Sequence, residues 1–343
     1  MSGLDGVVAA ETVMSHVDGA RGELVIRGLA VGELARRGRL EDAIALLWDG
    51  DVAAASSWQA ALGAARVRMA PEVAGAQRLD DATATVRAGL APLEGATPIE
   101  LVAATGLLVV GWCRAGAVPD AGLDHAADLV RMLRGEADPA RAQALGRYLC
   151  TIVDHGMNAS TFAARVVAST ASDDTSAVVA AVGALKGPLH GGAPGPVLDM
   201  LAAIGTPDRA AAWIDAELAA GRRIMGMGHR VYKVRDPRVA VLEEAIGALG
   251  AAGAATDRLA LARAVETAAI AALEAKKPGR GLRANVEFAT AVLLDAIGVH
   301  RGAFTAMFAA GRVVGWLAHT AEQRATGRLI RPLSTYVGPA AAA

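Results

Sequence analysis

The hydrophobic and polar positions of this chain follow a helical period along most of its length. Thr97-Pro98-Ile99-Glu100 pairs a capping-box sequence with proline at the first helical position. The apolar run Leu101–Cys113 that follows ends near Gly116. Thr206-Pro207 marks a second helix start, with Trp213, Ile214 and Leu218 recurring at three- and four-residue steps behind it. Asp236-Pro237 marks a third start, and Thr256-Asp257 a fourth that Pro278 terminates. Period-two alternation is nearly absent, and Glu23 to Arg27 (ELVIR) is the one segment that reads as a short strand. No repeat of fixed period points to a solenoid. The pattern predicts an all-α protein.

Two glycine clusters interrupt the helical pattern, Gly187 to Gly195 and Gly221 to Gly228. A further break falls at Pro278-Gly279-Arg280-Gly281. These breaks outline a smaller unit, residues 191–292, inserted in a larger one made of 1–190 and 293–343.

Composition refines this picture. Hydrophobic residues make up 53% of the 343, but aromatics only 3%, because 81 residues are alanine. The core is therefore aliphatic, and wholesale disorder is excluded. The net charge is −1, and no long basic run exists, so the footprint of a nucleic-acid binder is missing. The cationic side is lopsided, with four lysines and 30 arginines. Arginine suits bidentate recognition of carboxylate and phosphate, although a GC-rich genome accounts for most of the total. Cys113 and Cys150 form neither a zinc pattern nor a disulfide framework. The run Leu101–Cys113 is too short to span a bilayer. The start Met1–Asp5 shows no basic segment and no apolar segment of a leader. A soluble cytoplasmic protein is the expectation.

Three of seven histidines stand in unusual surroundings. His190 lies in GPLHGG, His229 in GMGHR and His155 in DHGMN. Glycine supplies few packing contacts and lets backbone approach a ligand, so such histidines suit the lip of a cleft. Glu287, in Asn285-Val286-Glu287-Phe288, opens an apolar stretch. Desolvation there raises a carboxyl toward the range of a useful base, while a helix-start glutamate interacting with the macrodipole explains it equally well. There is no HExxH, no Cys/His cluster, no Walker loop and no complete dinucleotide fingerprint. Neither a metal nor a bound cofactor is expected.

Taken together, GPLHGG at His190, GMGHRVYKVRDPR from Gly226 to Arg238 and NVEF at Asn285 resemble the citrate synthase family. DHGMNAS at 154–160, FTAMFAAGRVVGWLAH and RLIRPLSTYVG are similar to further segments of it, in the same order along nearly the whole chain. The resemblance implies an all-α, two-domain homodimer. It implies an acyltransferase that condenses acetyl-CoA with oxaloacetate to give citrate and free CoA in the tricarboxylic acid cycle, with acetyl-CoA as substrate. On it, His190 would hydrogen-bond the acetyl oxygen as the enolate forms, and His229 would polarise the ketone. Glu287 would abstract the proton. His155, Arg238 and Arg312 would bind oxaloacetate, Arg331 would be lent by the other subunit, and Lys233 would face CoA phosphate. Two departures mark the chain: glutamate replaces the family's aspartate at 287, and Pro194 replaces asparagine after His190-Gly191-Gly192-Ala193. The nearest alternative is a 2-methylcitrate synthase using propionyl-CoA. Another is a family-shaped protein that binds a carboxylate or CoA without turnover.

Overall fold

The computed structural model describes residues 6–339 apart from 192–193, 229–231, 233, 254–255, 277 and 280. It opens with an antiparallel sheet of β1 (Ser15–Asp18), β2 (Glu23–Ile26) and β3 (Leu29–Ala30). Helices α1 (Val31–Arg37), α2 (Leu40–Ile44), α3 (Ala55–Ala74), α4 (Ala82–Leu90), α5 (Pro98–Cys113), α6 (His125–Arg134), α7 (Pro139–Ile152), α8 (Ala159–Ser169) and α9 (Asp174–Leu185) follow. The second half contains α10 (Pro194–Ile204), α11 (Ala210–Ala219), α12 (Pro237–Ala251), α13 (Thr256–Lys276), α14 (Val286–Ile297) and α15 (Phe304–Thr326). The protein is all-α, as the pattern predicts.

The helix starts have local causes. The Glu100 carboxylate turns back to accept the Thr97 N–H at 2.9 Å and the Thr97 hydroxyl at 2.7 Å, closing the first turn of α5. Asp236 accepts the Arg238 N–H at 3.0 Å at the start of α12. Thr206-Pro207 differs from expectation: a 3-10 turn, Pro207–Arg209, comes first, and α11 begins only at Ala210. The ELVIR strand is present as β2, with Leu24 and Ile26 buried. Its partner β1 went unread because Ser-His-Val-Asp carries no apolar alternation; register with β2 supplies the order, pairing Ser15 with Ile26 and Asp18 with Glu23.

The apolar run in α5 is buried from Leu101 to Val110, an interior helix of the bundle. No helix among the described residues is long and apolar enough to cross a membrane. At the centre lies α15, packed by α5, α7, α8 and α9. Its small residues permit close approach. A Cβ on Gly315 would stand 2.2 Å from the Val153 carbonyl oxygen, which only a hydrogen allows. That approach brings α15 against the Val153–His155 bend at the end of α7. Gly315→Ala therefore forces backbone apart, and overpacking of this kind costs about 1–3 kcal/mol. Urea unfolding should show a correspondingly lower midpoint; an unchanged midpoint would remove this close approach from the account.

Candidate active site

Small-ligand sites are typically clefts of about 300–1,000 Å³; here one of ≈ 440 Å³ opens where the bend after α7, the turn after α9 and the starts of α12 and α14 meet α15. Five of the eight residues singled out in the sequence line it: His155, His190, Arg238, Glu287 and Arg312. His229 and Lys233 lie outside the described residues. Arg331 is elsewhere, in a groove formed by the two chain ends beside Phe162 and Arg165.

His155 is aimed by the residue before it. Asp154 is fully buried, hydrogen-bonds the Ser15 hydroxyl, and accepts the Gly156 N–H at 3.2 Å. Arg165 can only donate, so its contact of 2.9 Å makes His319 Nδ1 the acceptor. His319 Nε2–H then donates to Asp154 Oδ1 at 3.2 Å. Burial works against the Asp154 charge, but His319, Arg312 and Ser15 outweigh it and hold the carboxyl below its ordinary range. His155 Nε2 lies 3.0 Å from the Tyr232 hydroxyl.

His190 sits in a turn after α9, its N–H bonded to the Gly187 carbonyl at 2.9 Å. The next residue must be glycine, since a Cβ on Gly191 would meet the Leu185 carbonyl oxygen at 2.5 Å. The imidazole Nε2 is 2.9 Å from the Ser160 hydroxyl. Trp316 Nε1–H donates to that hydroxyl at 3.2 Å. The hydroxyl itself donates to Asn158 Oδ1 at 2.7 Å, an oxygen that also accepts the N–H groups of Ser160 and Thr161 at 3.1 Å each. Turned instead to His190 Nε2, the serine proton would leave the imidazole proton on Nδ1, free for a ligand. Burial first, and the Arg312 charge second, push the His190 pKa down to about 4. At neutral pH it is a neutral donor, suited to an oxygen that gains negative charge.

Glu287 occupies the first turn of α14. Asn285 caps that helix, accepting the N–H groups of Glu287 and Phe288 at 3.1 and 3.2 Å. Asn285 Nδ2 also donates to the Gly228 carbonyl at 2.9 Å, and the Gly228 N–H donates to the Arg283 carbonyl at 2.7 Å. This short ladder, with Met227 bridged to Ala284, ties the GMG segment to the helix carrying Glu287. Burial raises the Glu287 carboxyl above its ordinary range, and the Arg238 charge restrains the rise.

The two arginines differ. Arg238 is clamped by Asp236, with Nε and Nη2 donating at 3.0 and 2.7 Å, and the attraction of Asp236 outweighs burial and raises its pKa. Arg312 is 1% exposed, donates Nε–H to the Ile152 carbonyl and stacks 4.6 Å above the Phe308 ring. No carboxylate of the described residues lies within ion-pairing distance of it. Burial pulls its pKa down to about 10, with Asp154 opposing and Arg238 adding to the fall. A neutral donor, a buried carboxyl with raised pKa and two guanidiniums on one cavity can abstract a weakly acidic proton beside a bound dianion.

Sequence reasoning missed Ser160, Trp316, Thr290 and Phe308. Ser160 was readable only as part of DHGMNAS, and the others come together through tertiary packing. The depressed His190 value has a testable sign. Its folded pKa lies below the ordinary 6.5, so this contribution to stability is present above pH 6.5 and is lost as pH falls through about 4. NMR titration of the His190 ring should give a midpoint near 4; a midpoint between 6 and 7 on the pH scale would contradict the burial argument.

Comparison with known proteins finds relatives along nearly the whole chain. The family described as "Citrate synthase, C-terminal domain" matches residues 3–333. Putative citrate synthase 2 of Mycobacterium tuberculosis is 37% identical over 361 residues, covering 98% of this chain and 92% of that protein. A 2-methylcitrate synthase of Mycobacterium tuberculosis is 33% identical over 369 residues, covering 98% and 90%. Among solved structures, the citrate synthase of Thermoplasma acidophilum, in a ternary complex with carboxymethyl coenzyme A and oxaloacetate, superposes with a TM-score of 0.86 at 27% identity. It covers 99% of this chain and 97% of that one.

Proposed function

The chain belongs to the citrate synthase family, and from that premise we propose that it condenses acetyl-CoA with oxaloacetate through the cavity just described. The observation that carries the reading is the buried Arg312, beside Arg238 and with no ion-paired carboxylate among the described residues. A buried cation without an ion-paired carboxylate is unfavourable, and a dianionic substrate supplies the missing charge. The relative from Thermoplasma acidophilum binds oxaloacetate, which supports that assignment.

The geometry supports roles for the described residues, and the family resemblance supplies those of His229 and Lys233. Arg238, Arg312 and His155 hold oxaloacetate. Glu287 takes a methyl proton from the acetyl group while His190 Nδ1–H hydrogen-bonds its carbonyl oxygen, so proton loss and enolate stabilisation occur together. The enolate carbon attacks the ketone of oxaloacetate, polarised by His229, to form the new carbon–carbon bond. Water then hydrolyses the thioester and releases CoA. Lys233 faces the CoA phosphates. We place the protein in the cytoplasm as a homodimer, with Arg331 completing the partner's site. The exposed Leu333, Tyr336 and Val337 beyond Arg331 support such an exchange, because apolar residues in an extended tail gain by docking. We assign 1–190 with 293–343 to a large domain and 191–292 to a small one. The cavity walls come from both parts, so closure about Gly191 would exclude water from the enolate.

One methylene separates propionyl-CoA from acetyl-CoA, worth about 1–3 kcal/mol in a pocket. The 33% identity to a 2-methylcitrate synthase makes propionyl-CoA the second substrate to test. Purified protein should release free CoA from acetyl-CoA plus oxaloacetate. Glu287→Gln should lower kcat by about 10²–10⁴, the usual contribution of a general base. CoA release that survives both Glu287→Gln and His190→Ala would sink the assigned chemistry. Glu287→Asp tests the altered base: the account expects slower turnover, because this site is shaped around the longer side chain, and a faster variant would show that it is not. Since burial raises the Glu287 carboxyl, the acid limb of kcat/KM should fall above the ordinary glutamate value of 4.5.

A further inference from the structure

A second cavity, of ≈ 360 Å³, lies on the reverse side of the helix that carries Glu287. Glu287 and Thr290 of α14 line the active-site cavity, whereas Phe288, Ala289 and Val292 of the same helix line this other space. Its cause is the packing of the neighbouring helices. α13 packs chiefly on α11 and meets α12 and α14 far less. The Arg258–Asp295 pair, at 3.2 Å, holds α13 to α14 without closing the gap. Ile246 of α12 and Leu259 of α13 add to the apolar walls. A space of this size and lining suits a small, partly apolar ligand.

The charges that line it differ in their partners. Arg235 and Glu243 pair with each other. Arg263 and Glu266, three residues apart on α13, both line the cavity, yet neither side chain makes a hydrogen bond or an ion pair among the described residues. Helix residues at that spacing are neighbours, and opposite charges there ordinarily close on each other. Here they stand open. Glu266 is half-buried, and burial first, then the Glu243 charge, raises its carboxyl above the ordinary range against the pull of Arg235 and Arg283. An open cation and an open carboxylate beside an apolar wall offer a carboxylate site, an ammonium site and a side-chain pocket within one small volume.

We propose that this cavity binds an α-amino acid with an apolar side chain, its carboxylate on Arg263, its ammonium on Glu266 and its side chain against Ile246, Leu259, Phe288 and Val292. A plain carboxylic acid or a plain amine meets only half of this arrangement and leaves the other charge without a counterpart. Phe288 links the site to the chemistry. It follows Glu287 directly, and Gly226 packs on it so closely that a Cβ there would stand 2.8 Å from the Phe288 Cβ. A ligand held against Phe288 therefore bears on the first turn of α14 and on the GMG ladder together, and so on the position of Glu287. The binding is independent of the condensation; its effect on turnover rests on the reading of Glu287 as the base.

Calorimetric titration of the whole protein with L-leucine and with L-phenylalanine tests the site, beside isocaproate, which lacks the ammonium, and isoamylamine, which lacks the carboxylate. At least one amino acid should bind, and each half-ligand should bind at least about tenfold more weakly. Glu266→Gln and Arg263→Gln should each weaken amino-acid binding by a similar factor. Both variants should keep the unfolding temperature and the ligand-free CoA release of wild type, since neither residue lines the catalytic cavity. A saturating amino acid should change kcat for CoA release at least about twofold in wild type and leave Glu266→Gln unaffected. Failure of both amino acids to bind, half-ligands that bind as well, or full affinity in the two variants would each overturn the site. Binding that leaves kcat unchanged would overturn the link through Phe288. Amino-acid binding by a protein that never releases CoA would refute the condensation and leave the site standing.

Discussion

The constraint on which the site depends is the burial of Arg312 with no ion-paired carboxylate among the described residues. A guanidinium taken out of water loses several kcal/mol of hydration, and a carbonyl and an aromatic face return only part of it. The fold tolerates that cost within the central helix α15, and the consequences spread. Arg312 helps keep His190 neutral and Asp154 charged. Arg238, which draws on Asp236, restrains the rise of the Glu287 carboxyl. The protonation states that the reaction needs are thus set by the cations that hold the substrate. A net charge of −1 conceals a cationic cavity.

The scaffold delivers these charges by close packing of small residues. Gly315 lets α15 touch the carbonyl at the end of α7, and the same bend contains Asp154 and His155. Ser15 on β1 and His319 on α15 then grip Asp154 from two sides. On the opposite wall, the ladder between Gly226–Gly228 and Arg283–Asn285 fixes the start of α14 and so the base. The aliphatic, alanine-rich composition is the condition for this geometry, because bulkier faces would hold the helices apart.

Much of this was legible in the sequence, for identifiable reasons. Helix starts at Thr97 and Asp236 are written in local capping chemistry, which needs no tertiary information. Histidines between glycines pointed to a cleft because glycine offers no packing reason for them. What was hidden depends on long-range contacts. The strand β1 has no apolar alternation and exists through register with β2. Ser160 and Thr290 are ordinary residues in ordinary helices, and only packing sets them beside His190 and the cavity. Most of the arginine excess is compositional, so the sequence distinguished Arg238 and Arg312 by motif and could not show that one is clamped and the other unpaired.

The central claim, that Arg312 awaits a dianion, is tested most directly by calorimetric titration of oxaloacetate into ligand-free protein and into Arg312→Met. The account predicts measurable binding to wild type. In the variant, loss of a charge-assisted, desolvated contact of about 2–5 kcal/mol should weaken binding by at least tenfold. Equal affinity in the two proteins would contradict it.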